Sequence, residues 1–149
     1  MIFVGIDPGT TKSAYVVTDH YEPMYCAKVD NEKMRDLLIN ANIVEGRSAR
    51  LIIEVPICRK WAGREVSDTA IWAGIFLSSW PDFHGAYRDM LTRQAVRMHT
   101  VGKKATDAKI IAYLKERFTA PGIFDAFKAD IWQAYALVVT FIDKKYGGK

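Results

Sequence analysis

The sequence predicts an α/β protein, in which a five-stranded mixed sheet carries helices on both faces. Short runs of β-branched and aromatic residues end at turn residues in the first part of the chain, whereas later segments space their apolar residues as helices do. Three strands come first, and helices then alternate with two further strands before two final helices. Such a sheet is normally buried by helices on both sides. We expect one domain over residues 1–149, because that length is typical of a single domain and no linker-like segment interrupts it.

The first three strands are predicted as an antiparallel meander. Residues 2–6 form an apolar run too short for a helix, which ends at Asp7. Residues 13–18 and 24–29 predict the next two strands, and turn-forming residues separate all three.

The remaining elements are predicted from caps and apolar spacing. In chain order they are a helix capped by Asp30 or Asn31 that reaches Ile39, a strand over residues 51–55, a helix from Arg64 to Ser79, a fifth strand over residues 94–101, a helix from its cap Thr106 to about Phe118, and a last helix from Phe124 or Ala129 to Lys145.

The overall composition permits nucleic-acid binding without demanding it. The formal net charge is +4, and the cations form clusters, one of which contains Arg88, Arg93 and Arg97. No apolar run is long enough to cross a bilayer, and the N-terminus lacks the features of a signal peptide, so we expect a cytoplasmic protein. Cys26 and Cys58 lack a metal-binding spacing.

Two carboxylates lie where burial makes them costly. Glu54 stands inside the apolar run "LIIEVP", and glutamate is almost never fully buried without a partner. Asp7 ends the first strand, in "GIDPGTTKSA". If these strands are parallel neighbours, roughly 5 Å apart, both carboxylates lie at the same sheet edge and can share a divalent cation.

A third carboxylate opens the last helix. Asp130 in "KADIWQAYAL" has the simple interpretation of a first-turn acid that favours the helix dipole. Together with Asp7 and Glu54, however, it forms an oxygen donor set of the kind that suits Mg²⁺, with Mn²⁺ as a substitute. Such ions can activate water in phosphodiester hydrolysis.

The motifs "GIDPGTTKSAYVV", "LIIEVP" and "KADIWQAYAL" together resemble the RuvC-like Holliday junction resolvases, which are RNase H-like nucleases. The resemblance covers essentially the whole chain. It implies a homodimer that binds four-way DNA junctions and makes paired nicks with Mg²⁺ held by four acids, without a small-molecule cofactor. By position, Asp7, Glu54 and Asp130 match three of those acids.

The fourth acid departs from the family pattern, because its position falls on Gln133. Gln133 lies on the same helix face as Asp130 and could still offer a neutral oxygen to a metal ion. Asp107, Asp125 or a site of only three carboxylates are the alternatives, and a weakened nuclease remains among them.

Several basic residues match segments that contact DNA in the resembled family. Lys104 is predicted to neutralise charge on the scissile phosphate. Trp61 or Ile57 would be the apolar wedge at the junction centre, although Trp61 has the alternative of ordinary loop packing. The predicted DNA contacts are Lys12, Arg59, Lys60, Trp61, Arg64, Lys103, Lys104 and Lys109.

Three other functions stay open from the sequence. "GIDPGTT" also resembles the first phosphate loop of actin-like ATPases, but those need a second domain and a second glycine-rich motif. A catalytically silent junction-binding protein is motivated by Gln133. A nuclease of the same fold could instead act on other branched DNA or on RNA–DNA hybrids.

Overall fold

The computed structural model describes residues 1–40, 42–44, 47–82, 87–118 and 122–147. The strands are β1 (Ile2–Asp7), β2 (Lys12–Asp19), β3 (Glu22–Asp30), β4 (Ala49–Glu54) and β5 (Arg88–Leu91). The helices are α1 (Asn31–Ile39), α2 (Arg64–Ser79), α3 (Arg93–Thr100), α4 (Asp107–Arg117) and α5 (Ala129–Tyr146). Two short 3₁₀ turns cover Asn42–Val44 and Ile123–Ala126.

The five strands form one mixed sheet in the order β3-β2-β1-β4-β5. β2 pairs antiparallel with both β1 and β3, whereas β4 pairs parallel with both β1 and β5. The predicted meander and the predicted parallel pairing of the first and fourth strands are therefore confirmed. β1 is central, so its carboxyl end lies beside that of β4.

The two faces of the sheet carry separate apolar cores. Along β1, alternate side chains point to opposite faces. Val4 and Ile6 pack in the core beneath α1 and α2, and Phe3 packs in the core beneath α5. The prediction of helices on both faces is confirmed.

The long helix α5 packs directly on the middle of the sheet. A methyl group placed on Gly5 would lie 2.3 Å from the carbonyl oxygen of Ala134, which only glycine avoids. All residues from Ile131 to Asp143 are buried. The close approach fixes the start of α5 next to the carboxyl ends of β1 and β4.

The prediction of a fifth strand over residues 94–101 is wrong. That segment is α3, and the fifth strand lies earlier, at Arg88–Leu91. Its β-branched residues favour a strand, but the Thr92 side chain accepts a hydrogen bond from the Ala95 backbone N–H and caps a helix instead. β5 itself is polar and only half-buried, so it lacks the apolar signal of a strand.

Other features of the chain bear less on the site. Cys26 is half-buried and Cys58 exposed, and both are free thiols. Among the described residues, the structure contains no helix with the length and apolar character needed to span a membrane.

Candidate active site

Asp7 and Glu54 occupy the adjacent carboxyl ends of β1 and β4. The parallel register pairs Ile6 with Ile53, so the two acids follow directly from paired positions. Their side chains are only 12% and 14% exposed. Two nearly buried carboxylates thus share one edge of the sheet, as the sequence pattern predicted.

The turn after Asp7 is locked by hydrogen bonds from neighbouring elements. The backbone N–H of Gly9 donates to Ser13 Oγ (3.1 Å), whose hydroxyl donates to Asn31 Oδ1 (2.6 Å). Asn31 Nδ2 donates back to the carbonyl of Gly9 (3.0 Å). A Cβ on Gly9 would lie 2.2 Å from the carbonyl oxygen of Lys12, so the tight "DPGTTKS" turn needs glycine there. The turn holds Asp7 in place.

Burial and like charge make both carboxylates reluctant to ionise. Burial, and next the charge of Glu54, raise the pKa of Asp7 from 3.8 to about 7, against a smaller opposing effect of Arg93. Burial also raises the pKa of Glu54, which Arg93 partly offsets. Groups in this state gain from a nearby cation.

Arg93, the first residue of α3, lies between the acids. Its Nε donates to Glu54 Oε1 (3.2 Å), its Nη1 donates to an oxygen of Asp107 (2.9 Å), and its Nη2 lies 3.7 Å from Asp7 Oδ1. Asp107 begins α4 behind the cap Thr106, whose side chain accepts from the backbone N–H of Lys109. Arg97 also approaches Asp107, at 3.6 Å. The structure therefore brings Asp107 into the acidic site through Arg93.

The start of α5 contributes differently from the prediction. Asp130 forms an ion pair with Lys28 of β3, yet its charge adds to the raised pKa of Asp7. Gln133 is 5% exposed, and its Nε2 has no hydrogen-bond partner among the described residues. Asp125 lies exposed in the 3₁₀ turn. An orphaned buried amide beside an acid cluster indicates a polar position that the protein side chains alone do not satisfy.

The donor set suits a hard divalent ion in chemistry more than in its present arrangement. Asp7 and Glu54 supply buried carboxylate oxygens of the kind that Mg²⁺ prefers. Across the described part of the chain, however, no three His, Cys, Asp or Glu side chains are grouped as metal ligands. The space between the carboxylates is bridged by the guanidinium instead.

A cleft of about 410 Å³ borders the site between the β4–α2 loop and α3. Three of its lining residues are cationic and two are half-exposed apolar side chains. The lining comprises Ile57, Arg59, Gln94, Arg97, Met98 and Lys103. Because α3 also begins with Arg93, the cleft and the acidic site share one wall.

The other predicted DNA-contact residues are exposed around this region. Trp61 is 89% exposed, so it does not pack in the loop as its alternative interpretation required, and Lys60 lies over its ring. Two cations form weak surface ion pairs, Lys12 with Asp30 and Arg64 with Asp68. The side chains of Lys104 and Lys109 are exposed.

A buried carboxylate on α5 ties down the far ends of the helices that reach the site. Asp143 accepts hydrogen bonds from Arg117 at the end of α4 and from the Tyr21 hydroxyl, and it pairs with His99 near the end of α3. Burial alone would raise the pKa of Asp143, but these hydrogen bonds outweigh it and the pKa is lowered. The network therefore fixes the helices that present Arg93 and Asp107.

Sequence reasoning missed Arg93 as a site residue. It stood out only as one member of a basic cluster, and the strand wrongly predicted beside it concealed its place at the start of a helix. The available signal was Thr92 as a cap followed by an arginine, which is an unfavourable residue at a helix N-terminus.

The strand order, the helices on both faces and the strand-end acids define an RNase H-like α/β protein. Two solved structures share this fold at 14% sequence identity. The chain matches Thermus thermophilus RuvC in complex with a Holliday junction substrate with a TM-score of 0.73, over 99% of this chain and 96% of that one. The Thermus thermophilus RuvC structure matches with the same score, over 99% and 97%. No family model and no curated protein sequence matches the chain.

Proposed function

We propose that this protein is a metal-dependent endonuclease that cleaves four-way or other branched DNA. The observation that carries the proposal is the pair of nearly buried carboxylates, Asp7 and Glu54, at adjacent parallel strand ends. The shared fold with RuvC, one of whose structures holds a Holliday junction substrate, supports the choice of substrate.

The chain's own residues would bind the ion and orient the DNA. Asp7 and Glu54 would hold Mg²⁺ or Mn²⁺, with Asp130 and either Asp107 or the side-chain oxygen of Gln133 as further donors. When bound, the ion supplies positive charge and Lewis acidity for phosphodiester hydrolysis. Lys104 would place a further positive charge near the cleaved phosphate.

The basic cleft beside the site is the proposed path of a DNA strand. Arg59, Arg97 and Lys103 present positive charge to the phosphates, while Ile57 and Met98 offer apolar surface to a base. Trp61 is exposed enough to contact DNA on the same side. Binding through such contacts weakens as salt rises, because phosphate neutralisation releases counterions.

A homodimer is part of this proposal, because symmetric cleavage of a junction requires two sites. Helix α2 supports it in part. Ala73 packs on the sheet, whereas Ile71 and Gly74 are exposed on the helix. Ile71 and Gly74 are thus candidates for contact with a second copy, and sedimentation of the purified protein tests this state.

A junction-binding protein without cleavage is the second candidate. Two observations favour it: Gln133 stands where a fourth acid is expected, and Arg93 bridges the carboxylates. Such a protein would keep the basic cleft and lose only the chemistry.

Incubation of the purified protein with a synthetic four-way junction and Mg²⁺ tests the two functions. We expect paired nicks that disappear in EDTA and in Asp7→Asn. Binding without nicking at any Mg²⁺ or Mn²⁺ concentration would favour the second candidate. A flap, a replication fork and an RNA–DNA hybrid, run in parallel, define the substrate class.

A further inference from the structure

We propose that Arg93 is the resident cation of the acidic site and competes with a divalent metal ion for it. This inference rests on the proposed metal-dependent function. In the metal-free protein the guanidinium neutralises the carboxylates, and the ion binds as the guanidinium leaves.

The geometry of the guanidinium carries the proposal. Each of its three nitrogens addresses a different acid, Glu54, Asp107 or Asp7, at 3.2, 2.9 and 3.7 Å. These acids belong to three separate elements, the ends of β1 and β4 and the start of α4. Since one planar group reaches all three, it lies between the carboxylates that the metal needs.

Nothing in the local helix explains an arginine at this position. A positive charge at a helix N-terminus opposes the helix dipole, and the first turn of α3 contains no acidic residue to compensate it. The capping requirement is already met by Thr92. The side chain of Arg93 is 31% exposed and is held by the three carboxylates. Its position therefore follows from the acidic site and not from the helix.

The guanidinium and a divalent ion exclude one another electrostatically. Arg93 lowers the pKa of both Asp7 and Glu54 against the effect of burial, which is the same service that a metal ion would perform. Placed between the same two carboxylates, however, the two cations repel each other strongly at short range in a largely buried site. Metal binding thus requires that Arg93 withdraw at least from Asp7 and Glu54.

This competition lowers the apparent metal affinity of the wild-type protein. The affinity is reduced by the fraction of molecules in which the guanidinium has already left the site. Removal of the guanidinium abolishes that reduction. Arg93→Gln keeps a polar side chain without the charge, and Arg93→Lys keeps the charge but not the three-way geometry.

Calorimetric titration with Mn²⁺, without DNA, tests the proposal on wild type, Arg93→Gln, Arg93→Lys and the control Arg35→Gln. Arg35 is a suitable control because it pairs with exposed acids on α1, away from the site. We expect Arg93→Gln to bind Mn²⁺ about tenfold more tightly or better, Arg93→Lys to fall between, and Arg35→Gln to match wild type. In EDTA, Arg93→Gln should melt at a lower temperature, and Mn²⁺ should restore it.

The outcomes separate this proposal from the proposed function. Equal or weaker Mn²⁺ binding by Arg93→Gln, with binding abolished by Asp7→Asn, would overturn the role of Arg93 and leave the metal site intact. No Mn²⁺ binding by either protein would contradict both.

The wild-type protein gives a second readout that does not depend on the folding of a variant. The Nε–H resonance of Arg93, assigned by its loss in Arg93→Lys, should be protected from solvent exchange in EDTA. Saturation with Mg²⁺ should remove that protection. A protected, unshifted resonance at saturating Mg²⁺ would overturn the proposal.

Discussion

Replacement of Asp7 by asparagine should stabilise the metal-free protein while it abolishes cleavage. The pKa of Asp7 is raised from 3.8 to about 7, because the ionised carboxylate is buried next to Glu54. At about 1.4 kcal/mol per pH unit, that difference corresponds to at most about 4 kcal/mol. Asparagine resembles the protonated acid, so Asp7→Asn recovers most of this free energy wherever wild-type Asp7 is ionised.

The pH dependence has a definite sign. A raised pKa means that the folded protein binds the proton more tightly than the unfolded chain, so this contribution to stability is present below pH 3.8 and is lost as pH rises to about 7. In EDTA, the two proteins should therefore unfold alike near pH 4 and diverge above neutral pH. A gain of roughly 1–4 kcal/mol there would raise the melting temperature by about 3 °C per kcal/mol in a domain of this size.

Urea or thermal unfolding in EDTA from pH 4 to pH 8.5 measures the effect. Asp36→Asn, an exposed acid on α1, is the matched control and should leave the pH profile unchanged. Junction binding by Asp7→Asn should persist, since the carboxylate serves the metal and not the DNA. A variant that is less stable than wild type at pH 8, or that still nicks DNA, would refute the reasoning.

Further predictions concern packing, the cleft and the amide on α5. Gly5→Ala should destabilise the fold by about 3 kcal/mol or more, because its Cβ would lie 2.3 Å from a backbone oxygen of α5, whereas Gly74→Ala should be neutral or stabilising by up to about 1 kcal/mol in urea titrations. Arg59→Ala and Lys103→Ala should each weaken junction binding and lower the slope of log affinity against log salt by about one; an unchanged slope in both would exclude the cleft as a phosphate path. Gln133→Asp should lower the melting temperature in EDTA, because it buries an acid, and gain more from Mg²⁺ than wild type does; equal Mg²⁺ effects would remove this position from the metal site.

The sequence was sufficient to predict the central sheet and its acidic edge. The apolar runs ending at Asp7 and Glu54 are strong local signals, and chain order then favours the parallel pairing that places both acids together. The cap Thr106 and the long apolar helix α5 are equally local features. These parts of the fold follow from patterns within a few residues.

The remainder depends on tertiary contacts that no local pattern reveals. The β-branched segment after Thr92 is helical because its cap and packing outweigh its strand propensity. Arg93 reaches acids 39 and 14 residues distant in sequence, and the pairing of Asp130 with Lys28 spans 102 residues. The roles of Asp130, Gln133 and Lys104 in catalysis remain predictions.

Diffraction from a crystal soaked in Mn²⁺, recorded for its anomalous signal, tests the central claim most directly. The account predicts a peak coordinated by Asp7 and Glu54, with the guanidinium of Arg93 withdrawn from both. A difference map without an anomalous peak, in which Arg93 still bridges the two carboxylates at saturating Mn²⁺, would contradict it.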